Sequence, residues 1–201
     1  SLINDKRHTG GDAKFCISNP GLRQLVVDWA VRSVTANPEI DSVSMDPSDG
    51  DNWCQCADCA KMGSISNRAL TLANDVAKAI NQLGLGDKYV GMYAYNRHCA
   101  PPTIPVDPHV IISSTTAFIT GGFTQEQIID GWKAQGATIG IYDYYSVVDW
   151  DWNLPGRPKA GRPESVASSI RYFYDKGARF YDCESGDCWG RPAWATMSAP
   201  A

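Results

Sequence analysis

The stretch "TIGIYDYY", residues 138–145, decides the fold. Eight residues rich in β-branched and aromatic side chains read as a strand. Gly136 closes the helical pattern before it, in which Ile128, Ile129 and Trp132 share one face of a helix over 125–135. The same motif recurs as "YVGMYAYN" from Tyr89 and "GARFYDCES" from Gly177, and Val90-Gly91-Met92-Tyr93 aligns without a gap on Ile139-Gly140-Ile141-Tyr142. These are equivalent strands. "HVIISSTT" from His109 adds another, reached through the Pro-rich crossover "APPTIPVDP".

Working outward, "DSVSMDP" reads as an earlier strand and "FCISNP" as a short one ending at Asn19-Pro20, which starts a helix carrying Leu22, Leu25, Val26 and Trp29. The loop "SDGDNWCQCADCAKMGSI" holds no core element. Ser66 or Asn67 caps the next helix, whose stripe is Ala69, Leu72, Ala73, Val76, Ala77 and Ile80, and Gly84 stops it. A last helix fits 163–176, with Val166, Ile170, Phe173 and Tyr174.

Short apolar strands alternating with helices specify an α/β fold with a parallel sheet. No glycine-rich phosphate loop follows the first strand, which disfavours a nucleotide-binding doubly wound sheet. Polar residues end every strand (Asp46, Tyr95-Asn96, Thr115, Asp143, Glu184), as at the active face of a (β/α)8 TIM barrel. A complete barrel takes about 250 residues. The expectation is an incomplete barrel of five to six βα units: a polar lead-in at 1–13, the barrel portion at 14–190 and a tail at 191–201.

With 43% hydrophobic and 20% charged residues the composition is globular, which excludes disorder and collagen-like structure. A formal charge of −4 and no Lys/Arg run argue against a nucleic-acid partner. No apolar stretch reaches the roughly 20 residues of a membrane helix. Seven Trp and nine Tyr suit a sugar cleft, because such rings combine an apolar face with a polar edge.

Aligning the last two strands on Gly136-Ala137 and Gly177-Ala178 brings Asp143 onto Glu184. Two carboxyls at one barrel mouth are the equipment of glycoside hydrolysis, one donating a proton to the leaving oxygen and the other attacking or orienting the attacking group. Asp182, two residues before Glu184, is the alternative partner. Structural ion pairs with Arg179 and Arg191 are the competing explanation of these acids. Asp46 and Asp49 in "MDPSDG" have turn chemistry, with sugar hydroxyl binding as a second role. Tyr93, Tyr95, Asn96, Tyr142, Tyr144, Tyr145, Trp150, Trp152 and Trp189 complete the candidate substrate contacts.

Cys54, Cys56 and Cys59 in "CQCADC" can converge on a structural zinc ion, with His98, Cys99 or another residue as fourth ligand. A disulfide plus a free thiol, or three free thiols, also fit. Seven cysteines in all forbid complete intramolecular pairing.

Taken in order, "FCISNPGLRQLVVDWA", "SVSMDPSDGDNWCQCADCAK", "LANDVAKAI", "VGMYAYNRHCAPP", "TTAFITGGFTQEQIIDGW", "GIYDYYSVVDWDWNLPG" and "GARFYDCESGDCWG" resemble the domain-of-unknown-function family 4838 of bacterial proteins over about residues 14–190. The resemblance implies a glycosidase-like (β/α)8 domain in a longer, exported and hence extracytoplasmic protein. Some relatives, in glycoside hydrolase family 163, are endo-β-N-acetylglucosaminidases of complex N-glycans, which need no cofactor. It implies an acid/base role for Glu184 and, for Asp143, the partner that orients the substrate's own 2-acetamido group. Relatives often carry Glu where Asp143 stands, so its shorter side chain argues against direct attack. Cys183 and Cys188 flank Glu184 and depart from the family pattern. A non-catalytic carbohydrate-binding barrel and a zinc-stabilised interaction domain are the rival functions.

Overall fold

A computed structural model describes residues 1–145 and 162–184. Its centre is a five-stranded, wholly parallel sheet of β3 (Ser42–Ser44), β4 (Tyr89–Asn96), β5 (Val110–Ile119), β6 (Thr138–Tyr144) and β7 (Phe180–Glu184). Spatial order equals chain order. A doubly wound sheet reverses direction at a switch point, whereas this one does not. Right-handed crossovers along such an order leave the connecting helices on one face. The sheet curls into a half-barrel. A two-stranded ribbon, β1 (Leu2–Ile3) with β2 (Lys6–Arg7), precedes it within the polar lead-in.

The helices among the described residues are α1 (Pro20–Ala36), α2 (Ala57–Lys61), α3 (Ile65–Asn81), α4 (Gln125–Ala134) and α5 (Pro163–Asp175). Asn19 caps α1, accepting from the Leu22 N–H at 3.0 Å, with Pro20 in the first turn. Thr124 and Gln127 form a reciprocal capping box on α4. Val90, Met92, Ala94, Val110, Ile112, Ile139 and Ile141 pack from the sheet against Ala73, Val76, Ile80, Ile129, Trp132 and Phe173. Trp132 satisfies its buried indole N–H on the Cys99 carbonyl at 2.9 Å.

The crossover from β4 to β5 contains no helix, and α3 holds it in place. Asn67 donates to Thr103 Oγ1 and accepts from the Thr103 N–H, both at 2.8 Å. Asn74, one heptad on, donates to the Pro105 carbonyl and accepts from the Asp107 N–H, each at 2.9 Å. Asn81, a heptad further, bonds both backbone groups of Lys88. Asn67 and Asn74 thus stand in for the strand or helix partners that the proline-rich segment lacks, and Asn81 on the same stripe holds the loop that leads into β4.

Three local expectations are corrected. Residues 15–20 form no strand, because the chain turns at Ile17–Ser18, with the Asn19 N–H on the Cys16 carbonyl at 2.9 Å. The α3 cap is Ser64 rather than Ser66 or Asn67, both of which are buried inside the helix. The cysteine-rich loop contributes α2 and buries Trp53, Cys54 and Cys59. Among the described residues, no helix is long and apolar enough to cross a membrane.

Candidate functional site

Side chains alternate along a strand, so each strand offers one row to the helices and one to the inner face of the half-barrel. On β6, Ile139, Ile141 and Asp143 are buried on the helix side, and Tyr142 and Tyr144 face inward. The β7 register opposes Tyr142 to Asp182, Asp143 to Cys183 and Tyr144 to Glu184. The sequence alignment of Asp143 with Glu184 is therefore out by one residue. A slip of one moves a side chain to the other face, so these two acids do not share a mouth. Asp182 and Glu184 do share a face, the inner one.

Asp143 is 1% exposed. It accepts from Thr116 Oγ1 at 2.6 Å, from the Tyr181 hydroxyl at 2.5 Å and from the Tyr144 N–H at 2.8 Å. Tyr145 extends the network, its hydroxyl 2.7 Å from that of Tyr181. Burial first, then the Asp143 contact, holds the Tyr181 phenol far above its ordinary range. These groups lock the ends of β5, β6 and β7 together on the helix side.

The inner face is aromatic and acidic. Tyr93 and Tyr142 lie 4.8 Å apart between ring centroids, Tyr142 and Tyr144 5.3 Å, Tyr144 and Phe118 6.0 Å, and Phe118 and Tyr95 5.5 Å. Phe118 and Asn96 occupy left-handed backbone, at φ 57° and 46°, where β5 bulges past the end of β4. Such strain in a non-glycine residue costs about 1–3 kcal/mol and gathers at functional sites. The bulge swings Phe118 between Tyr95 and Tyr144, and no residue pattern announced it.

Asp46, just beyond β3, accepts from the Tyr93 N–H at 2.6 Å and from Ser44 Oγ at 2.5 Å. Burial raises its carboxyl above the usual range although both hydrogen bonds oppose the shift. Tyr93 records its surroundings. Burial raises its phenol first, and the negative charges of Asp46, Asp182 and Glu184 raise it further. Tyr142 is pushed up to about 12 by burial, then by Tyr93, Glu184 and Asp182. Tyr95 rises through burial, Asp49 and Glu184. Carboxyls beyond β3 and on β7 therefore act on the phenols of β4 and β6. Asp49 is exposed, and its backbone carbonyl accepts from Lys14 Nζ at 2.6 Å.

A mostly apolar cavity of about 670 Å³ lies between α1, residues 11–17 and the end of β3, touching Asp46, Met45 and Trp53. It meets the acidic face only at Asp46. His98 lies against Trp53, ring centroids 5.5 Å apart, and burial with the Lys14 charge lowers its imidazole to about 4. Trp150, Trp152 and Trp189 lie outside the described residues.

The proposed thiol ligands converge with one addition. The Sγ atoms of Cys54, Cys56 and Cys59 lie within 4.8 Å of one another and of Cys16 Sγ. Cys16, from the stretch expected to be a strand, is the fourth member, while His98 and Cys99 are not part of the group.

No curated protein and no solved structure matches the chain. One family does, described as domain of unknown function (DUF4838), over residues 1–188. With its α/β half-barrel and nearly its whole length matched, the chain belongs to the DUF4838 family.

Proposed function

We propose that this chain is the catalytic portion of a glycoside hydrolase acting on a glycan with an N-acetylglucosamine linkage. The observation that carries the reading is the placing of Asp182 and Glu184 on one face of β7, opposite Tyr142 and Tyr144 of β6, at the C-terminal ends of parallel strands, with Asp46 held on the Tyr93 N–H nearby. An aromatic floor of Tyr93, Tyr142 and Tyr144 supplies stacking area for a pyranose ring, and the carboxyls supply acceptors for its hydroxyls.

Glu184 is the acid/base. Its carboxyl protonates the glycosidic oxygen as the substrate's acetamido oxygen attacks the anomeric carbon and the leaving group departs. The resulting carboxylate then takes a proton from the water that opens the cyclic intermediate. Asp182 replaces Asp143 as the orienting partner, because it shares a face with Glu184 and is exposed. It accepts the acetamido N–H and stabilises the positive charge that develops there. Tyr142 and Tyr144 position the sugar. The site is expected outside the cytoplasm, reading complex N-glycans, in keeping with the family resemblance. No catalytic cofactor enters this scheme.

The test is mass-spectrometric analysis of a complex-type N-glycoprotein after incubation with the protein or its Glu184→Gln variant. Glycan release leaving one N-acetylglucosamine on the acceptor, reduced about 10²–10⁴-fold in the variant, is the expected result. Release unchanged by Glu184→Gln overturns the assignment. The aromatic array favours a second reading, a sugar-binding barrel without turnover; bound but intact glycan after long incubation would identify it.

A further inference from the structure

We infer that Cys16, Cys54, Cys56 and Cys59 form a tetrathiolate site for one structural zinc ion, which fastens the N-terminal segment to the loop between β3 and α3. The inference is independent of the glycosidase reading.

The geometry fits a zinc ion better than it fits disulfides. With Zn–S bonds of about 2.3 Å, a regular ZnS4 tetrahedron has edges of about 3.8 Å. Cys16 Sγ lies 3.7 Å from Cys56 Sγ and 3.8 Å from Cys59 Sγ, and all four sulfurs fall within 4.8 Å of one another. A disulfide joins two sulfurs at about 2 Å and excludes a third. Here Cys16 is equally close to two partners. Four soft sulfur donors this close together select zinc over magnesium or calcium, which take oxygen.

The surroundings are those of thiolates. The Leu2 N–H donates to Cys54 Sγ and the Cys59 N–H to Cys56 Sγ, each at 3.4 Å. Ser18 Oγ lies 3.2 Å from Cys59 Sγ, 3.5 Å from Cys16 Sγ and 3.6 Å from Cys56 Sγ. Once the thiols ionise, that hydroxyl can turn and donate to them. Backbone and hydroxyl donors around sulfur spread the excess negative charge of a Zn(Cys)4 centre and orient its ligands. Cys54 and Cys59 are buried, Cys16 and Cys56 half-buried. With four thiolates the ion has no open position for water, so its role is structural.

The site reinforces an attachment made otherwise of hydrogen bonds. Residues 1–19 hold the loop through the Gln55 N–H to the Leu2 carbonyl at 2.7 Å, the Lys14 N–H to the Asn52 carbonyl at 3.3 Å, the Asn4 N–H to Gln55 Oε1 at 2.8 Å and Lys14 Nζ on the carbonyls of Ser48 and Asp49. A metal bridging Cys16 to Cys54, Cys56 and Cys59 closes a long loop of chain, which constrains the unfolded state as well as the folded one. It also fixes Trp53, the neighbour of Cys54, against His98.

The experiment is metal analysis of the protein purified without chelator, with thiols titrated in denaturant before and after reduction. We expect about one zinc per chain, and four thiols that become reactive only when the ion is chelated or the protein unfolded. Cys16→Ser should weaken zinc retention against a competing chelator by more than the roughly 10–100-fold that losing a hydrogen-bonding neighbour of a ligand costs. Cys183→Ser, outside the cluster, should keep the full zinc content. If Cys16→Ser fails to fold, the wild-type stoichiometry and thiol reactivity decide alone. Zinc-free folded protein overturns the inference, whether its thiols are all reactive or appear only after reduction as disulfides would. So does iron in place of zinc.

Discussion

Asp143 and Asp182 lie one position apart in register on neighbouring strands, on opposite faces of the sheet, and exchanging each should give opposite phenotypes. Asp143→Ala removes the buried acceptor that the Thr116 hydroxyl, the Tyr181 hydroxyl and the Tyr144 N–H share, although the Tyr181 hydroxyl keeps that of Tyr145. Hydrogen bonds to a charged group contribute about 1.5–3 kcal/mol each, but they share one carboxyl and are not additive. Truncation should cost about 3–5 kcal/mol, comparable with breaking a buried ionic network. At about 2–4 °C per kcal/mol for a domain of this size, the melting midpoint should fall by about 6–20 °C. Asp143→Asn should cost less, because its amide oxygen can keep Thr116 and the Tyr144 N–H while the Tyr181 hydroxyl rotates to accept from the amide NH2. Asp182→Asn keeps the acceptor for the Cys183 N–H, 2.8 Å away in the native chain, and should stay within about 0.5 kcal/mol of wild type. Its turnover should nonetheless drop about 10²–10³-fold if Asp182 stabilises developing charge.

The assay is a thermal melt of each variant beside glycan release measured well below the lowest midpoint and corrected for folded fraction. An Asp143→Asn protein that melts like wild type yet has lost turnover would refute the division of labour between the faces. Full turnover by Asp182→Asn would refute it from the other side.

Other outcomes follow from particular contacts. Tyr142→Ala should raise the apparent glycan dissociation constant about 5–12-fold in binding titrations, since stacking platforms of this kind contribute on the order of 1–1.5 kcal/mol. Gly131→Ala should lower the melting temperature, because a Cβ there would lie 2.2 Å from Pro101 Cγ, in a ring that cannot swing away, and overpacking costs about 1–3 kcal/mol. His98, lowered to about 4 by burial and Lys14, binds its proton less tightly folded than unfolded. Its contribution is therefore intact above about pH 6.5 and is lost as pH falls towards 4, up to about 3 kcal/mol, which a His98→Gln variant should flatten in pH-dependent melts. Asp46 has the opposite sign. Its raised carboxyl favours the fold at acid pH and forfeits that advantage as pH rises through the folded value, so Asp46→Asn, which can keep both hydrogen bonds, should gain on wild type as pH increases.

Much of the architecture was legible because its signals are periodic. Parallel strands read as apolar runs, and Val90, Ile112, Ile139 and Ile141, buried against the helices, declared theirs. The stripe on α3 and the Asn19-Pro20 start of α1 were equally plain. Local pattern failed where the decisive partner was distant. Residues 15–17 alternate like a strand, yet Cys16 answers to Cys54, Cys56 and Cys59 some forty residues away. Asn67 has the composition of a cap but serves Thr103 across the core. The site was half legible. The acids, tyrosines and thiols were visible as residue types, whereas Phe118, Thr116 and Tyr181 depend on a bulge and on a buried network that one strand's sequence does not encode.

The error at Asp143 is instructive because it was one residue wide. Gly136-Ala137 and Gly177-Ala178 are the same dipeptide before equivalent strands, but the register pairs Gly140 with Phe180, a separation of 40 rather than the 41 that the dipeptides imply. In a helix, such a slip would rotate a side chain by about 100° and leave it near its old neighbours. In a strand it inverts the side chain. Two acids that look alike in sequence thus divide between a buried brace and an open, aromatic face. The sequence of β6 makes this hard to foresee, because isoleucines on one row and tyrosines on the other lack the alternation of polar and apolar residues by which a one-sided strand announces its faces. On β6 the row that reaches the helices even ends in the carboxyl, and the row that faces the half-barrel carries the tyrosines. The polarity of a residue therefore says little here about the face it occupies; the hydrogen-bond partners waiting on each side decide it.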